Sequence, residues 1–82
     1  MMVVSVSFHG MQRQMTRRKK LQISLSDGSQ VSQVIDYIQK RFPELPIHSE
    51  ALLITVNGCV SAINQELKQE DQISLLPHIG GG

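Results

Sequence analysis

Read from its far end, the chain offers one group well placed for chemistry, the carboxylate of Gly82, carried by the run LLPHIGGG. Glycine has no Cβ, so a backbone ending in Gly80, Gly81 and Gly82 can pass through a channel too narrow for other residues. It also leaves the terminal carboxylate open to attack on a phosphorus centre. Pro77 has a fixed φ and no N–H, which predicts that strand pairing stops there and that the chain turns outward. An extended segment from Pro77 to Gly82 reaches at most ~20 Å. The expected organisation is therefore a folded domain over residues 1–76 and a flexible tail over residues 77–82, with His78 on the tail and placed to contact a partner.

Other reactive side chains form weaker patterns. His9, His48, His78 and Cys59 lack the paired spacing of metal ligands, so no metal site is expected. Cys59 has no base adjacent in sequence and reads as a small packed residue beside a turn. Arg17, Arg18, Lys19 and Lys20 form a basic run with no interleaved aromatic for base stacking. It reads as a solvated loop, with docking to an acidic partner surface as the functional option. Net charge is +1, so no global field dictates a nucleic-acid or membrane partner.

The elements that must position the tail can be read from periodicity. Val4, Val6 and Phe8 alternate with Ser5, Ser7 and His9, which predicts a half-buried strand over Val3 to His9. The alternation resumes at Leu21, Ile23 and Leu25, giving a hairpin whose connection, GMQRQMTRRKK, reads as a long polar loop. SDGS supplies turn residues, and Asp27 or Ser29 is the expected N-cap of a helix. Val31, Val34, Ile35, Ile38 and Phe42 then lie on one helical stripe that Pro43 ends. Leu52, Ile54 and Val56 mark a third strand, Asn57-Gly58 a tight turn, and Cys59 to Ser61 a short return strand. Ile73 and Leu75 mark the last strand. Leu76 falls out of phase with them and should face away from the helix, leaving apolar surface uncovered.

An order of two strands, a helix and two or three further strands predicts an α+β domain, with one main helix covering a four- to five-stranded mixed sheet. At 82 residues, 40% hydrophobic and 18% charged, one small domain is expected. A single cysteine leaves stability to the core and fits a reducing compartment. No apolar run approaches the ~20 residues of a membrane span, and MMVVSVSF lacks the features of a signal peptide, so the expected location is the cytoplasm.

The strand VSVSF, the helix VSQVIDYIQKRFP, the strand and turn ITVNG, and the closing EDQISLLPHIGGG together resemble the MoaD/ThiS sulfur-carrier family of ubiquitin-like proteins. The resemblance spans essentially the whole chain. It is most specific at Val56 to Gly58, at the D-x-I-x-L-L-P run from Asp71 to Pro77, and at Gly81-Gly82. It implies a β-grasp fold with the last strand placed centrally. It also implies a carrier that is not itself an enzyme and binds no cofactor. An ATP-dependent adenylating enzyme of the MoeB/ThiF kind would activate Gly82, and sulfur would displace AMP to leave a thiocarboxylate. Length and the LLP run are similar to the MoaD branch, which implies sulfur delivery in molybdopterin biosynthesis for molybdenum or tungsten cofactors, with a MoaE-like large synthase subunit as partner. By the same resemblance, Leu76, Pro77, His78, Ile79, Gly80 and Gly81 would seat the tail in its partners. His78 stands where members commonly carry a second proline, and Gly80 adds a third glycine. The alternatives are a ThiS-like carrier for thiamine thiazole synthesis, a ubiquitin-like modifier joined to other proteins through Gly82, and a plain interaction module.

Overall fold

The computed structural model describes residues 1–45 and 52–77. In chain order the elements are β1 (Met2–Ser7), α1 (Met11–Thr16), β2 (Lys20–Leu25), α2 (Val31–Arg41), β3 (Leu52–Val56), β4 (Cys59–Val60) and β5 (Gln72–Pro77). The five strands form one mixed sheet in the order β2-β1-β5-β3-β4. β1 pairs antiparallel with β2 and parallel with β5, while β5 pairs antiparallel with β3. The last strand therefore lies at the centre of the sheet, as expected of a ubiquitin-like β-grasp.

Period-two patterning explains which face of the sheet is covered. Val4 and Val6 of β1, Ile73 and Leu75 of β5, and Ile54 and Val56 of β3 are buried against Val31, Val34 and Ile38 of α2. Ile35 and Phe42 border the same core, and the Phe42 ring meets Phe8 edge-on with centroids 6.1 Å apart. This aromatic pair ties the C-terminal end of α2 to the end of β1. The Phe42 N–H donates to the Ile38 carbonyl at 2.7 Å, and Pro43 cannot extend the ladder.

The start of α2 corrects the expected cap. Neither Asp27 nor Ser29 serves as N-cap; Gln30 does, and its N–H donates to Gln33 Oε1 at 2.6 Å. The next N–H groups find tertiary acceptors, Val31 on the Gln65 carbonyl at 3.0 Å and Ser32 on the Ile63 carbonyl at 2.8 Å. The irregular segment before β5 thus satisfies donors that a Ser or Asp side chain would otherwise meet. Leu67 plugs the core beneath that segment and is buried.

The long loop predicted between β1 and β2 is corrected as well, because α1 occupies its middle. Gly10, at φ 58°, turns the chain out of β1, and Arg17, at φ 59°, ends the short helix. Its buried face is polar, made by Gln12 and Thr16, with Thr16 Oγ1 donating to the Gln12 carbonyl at 2.8 Å. A helix that buries such residues shows no apolar stripe in its sequence. Cys59 is also corrected: it is exposed on β4 rather than packed.

Replacing Leu75, fully buried on the central strand, should separate the two faces of the sheet. Leu75→Ala is expected to cost about 2–5 kcal/mol in urea unfolding, and Leu53→Ala on the exposed face less than about 1 kcal/mol.

Candidate functional site

β5 is held at its beginning by residues distant in sequence. Asn57 and Gly58 have φ of 53° and 85°, the left-handed pair that a two-residue hairpin turn between β3 and β4 requires. Asn57 Nδ2 donates to Asp71 Oδ1 at 2.9 Å, and Asn57 Oδ1 accepts from the Gln72 N–H at 2.9 Å. The second carboxylate oxygen, Asp71 Oδ2, accepts from the Lys68 N–H at 2.8 Å. The two motifs quoted from the sequence, VNG and the run beginning at Asp71, are therefore a single clasp. It fixes where β5 enters the sheet.

The other end of β5 forms the base of the tail. The Asn57 N–H donates to the Gln72 carbonyl, and the Ser5 N–H donates to the Asp71 carbonyl. These two bonds set the parity of the strand: even-numbered residues turn their backbone groups to β3 and odd-numbered ones to β1. Pro77, in register with Leu52, thus aims its nitrogen away from β3. On that side the pairing with β1 has already ended at Ser7 and Ser74, because Gly10 and α1 carry the chain off. The residue that cannot donate stands where β1 provides no partner. β5 includes Pro77 as its last residue, so the strand runs one residue past the boundary expected at Leu76.

Among the tail residues singled out from sequence, Leu76 and Pro77 are described. His78, Ile79, Gly80, Gly81 and Gly82 lie outside the described residues. Leu76 is half-buried and registers with Leu53, whose side chain is 37% exposed on the sheet face opposite α2. The orientation expected for Leu76 is observed, with an apolar pair beside the tail base.

Two neighbours of the tail base escaped the sequence reading. His9 lies two residues beyond Ser7, where the pairing of β1 with β5 ends. His9 Nε2 and Gln12 Oε1 are enclosed without a hydrogen-bond partner among the described residues. Met15 of α1, Arg41 at the end of α2 and Phe42 to Leu45 after it line a groove of about 360 Å³ at the same end of the sheet. The signal for this grouping is the tertiary pairing of β1 with β5, which no local pattern carries. No group of three or more His, Cys, Asp or Glu converges for metal binding among the described residues, and no described helix is long and apolar enough to cross a membrane.

The family model described as the ThiS family matches residues 6–82. A molybdopterin synthase sulfur carrier subunit from Mycobacterium tuberculosis is 23% identical over 61 residues, 74% of each chain. A Pyrococcus furiosus structure assigned as molybdopterin converting factor subunit 1 superposes with a TM-score of 0.84 at 25% identity, covering 94% of this chain and 98% of that one. A Helicobacter pylori structure of the complex between subunits 1 and 2 of molybdopterin-converting factor superposes with a TM-score of 0.65 at 27% identity, covering 99% of this chain and 100% of that one.

The clasp makes a prediction of its own. Asp71→Ala removes the acceptor shared by Asn57 and Lys68 and should lower stability by about 1–2 kcal/mol in denaturant unfolding. Amide hydrogen exchange should rise first at Lys68, whose N–H loses its acceptor, and then at Gln72, whose acceptor Asn57 is freed.

Proposed function

The chain belongs to the ThiS family, and from that premise we propose that it is a sulfur carrier whose Gly82 carboxylate is converted to a thiocarboxylate for molybdopterin biosynthesis. The observation that carries this reading is the family match running through residue 82, joined to a central strand that ends five residues earlier at Pro77. The Mycobacterium tuberculosis relative, named as a sulfur carrier subunit, supports the same class of role.

A free carboxylate is a poor acyl electrophile. Attack by one Gly82 oxygen on the α-phosphorus of ATP forms an acyl-adenylate and releases pyrophosphate. A sulfide-level nucleophile then adds to the acyl carbon, AMP leaves with its shared electron pair, and the thiocarboxylate remains. When sulfur passes to an acceptor, water restores the oxygen and regenerates the carboxylate. Catalytic groups and Mg²⁺ for the first step belong to the adenylating partner. This chain contributes position: the sheet holds the base of the tail, Pro77 ends pairing, and the terminal glycines admit the backbone to a narrow channel. A synthase large subunit is the proposed receiver, supported by the Helicobacter pylori complex of subunits 1 and 2. Leu76 beside Leu53 is the proposed apolar seat at the tail base.

The test is coexpression with the cognate adenylating enzyme followed by intact-mass measurement. The expected product gains the mass of one oxygen-to-sulfur exchange at Gly82. Absence of both that product and an acyl-adenylate overturns the carrier reading. Isopeptide adducts in cell lysate without a thiocarboxylate would instead identify a protein modifier, and sulfur passing to a thiazole precursor would place the chain in thiamine synthesis.

A further inference from the structure

The charges of this chain are sorted by the ends of its sheet. β1 and β5 run parallel, so the end of β1, the start of β2 and the exit of β5 coincide. Arg13, Arg17, Arg18 and Lys19 sit on and just after α1 at that end, and Lys20 opens β2. α2 begins beside Ile63 and Gln65 at the opposite end and runs back to Phe8, which brings Lys40 and Arg41 to the exit as well. These seven are every Lys and Arg of the chain except Lys68. Glu44 is the acidic residue among them in the described chain, and Asp36 lies midway along α2. Asp27, Glu66, Glu70 and Asp71 collect at the far end with Lys68 and the N-terminal ammonium, which contacts Asp27 at 3.4 Å. A formal net charge of +1 thus conceals a strong polarity along the strands.

The basic end is also concave. Arg13, Gln14, Arg17, Arg18 and Lys19 line an open groove of about 450 Å³. Among the described residues none of these cations is in an ion pair with a carboxylate. Phe8 is buried and Phe42 half-buried, and the one exposed ring near this end in the described chain, Tyr37, accepts from the Arg41 guanidinium at 3.3 Å, so no row of rings is offered for stacking bases. The cations flank the exit of β5 from the α1 and β2 side and from the end of α2.

We infer that this basic collar is a docking surface for an acidic protein rim around the tail channel of the adenylating enzyme. The inference rests on the carrier reading and adds the chemistry of the partner's surface to it. A cationic collar around the exit orients the molecule in the field of an acidic rim, so that encounters arrive tail-first. Steering of this kind raises association rates by roughly 10- to 1,000-fold and fades with salt. Screening acts over about 30 Å at 0.01 M salt but only about 8 Å at 0.15 M.

The test measures adenylate formation with the purified adenylating enzyme across ionic strength, using the full chain, Arg18→Glu/Lys19→Glu, the milder Arg18→Gln/Lys19→Gln, and Lys68→Glu. At low salt the double reversal is expected to lower kcat/KM at least about tenfold with kcat unchanged, and to flatten its salt dependence. The neutral pair should fall between, Lys68→Glu should change kcat/KM less than about twofold, and all melting curves should match the parent. Adenylation of the parent with unchanged kcat/KM in the double reversal overturns the docking surface alone. Equal losses in the double reversal and in Lys68→Glu overturn it too, as does binding of bulk tRNA that the reversal abolishes while kcat/KM stays constant. No adenylate with the parent chain overturns the carrier reading and the docking surface together.

Discussion

The parallel pairing of β1 with β5 is the constraint from which the rest of the molecule follows. It places the last strand between two earlier ones, so β5 must be apolar on its helix-facing side and bonded on both edges over Gln72 to Ser74. Ile73 and Leu75 meet the first demand, and both are fully buried. A strand seated in this way cannot slip by one residue without turning its apolar side chains to water. The clasp of Asn57 and Asp71 fixes the same register from the β3 side, where β5 enters the sheet. β5 therefore runs to its end at Pro77 from a fixed point at the middle of the sheet.

The same pairing makes one end of the domain chemically distinct. Because β1 and β5 end side by side, α1, the close of α2 and the exit of β5 gather there, and the cations gather with them. Structure and chemistry are separated along the chain. The sheet and α2 supply rigidity, the collar supplies a field, and Gly82 supplies the reacting carboxylate in the proposed cycle. In the proposed cycle such a domain presents a substrate to other proteins, in keeping with its similarity to the Mycobacterium tuberculosis carrier subunit.

Much of this was legible in the sequence, for particular reasons. The strands carrying Val4, Val6 and Phe8, or Leu52, Ile54 and Val56, alternate cleanly because one face of the sheet is buried and the other is not. The stripe from Val31 to Phe42 declared α2 by the same logic at a different period. α1 stayed hidden because its buried residues, Gln12 and Thr16, are polar. The N-cap was misassigned because backbone carbonyls from residues 63 and 65 supplied acceptors that no local pattern reveals. Central placement of β5 came from family resemblance, since long-range pairing leaves no periodic trace. The tail was conspicuous for a different reason: three consecutive glycines after a proline stand out by composition alone. The collar needed the fold, because Lys40 and Arg41 join Arg13 to Lys20 only through tertiary packing.

The central claim is that the fold positions the terminal carboxylate while the last residue performs the chemistry. The most direct measurement compares the full chain with one lacking Gly82 and one extended by a single residue, reading thermal unfolding and sulfur transfer side by side. Both variants should melt with the parent and transfer no sulfur. Transfer retained by either variant would contradict the account.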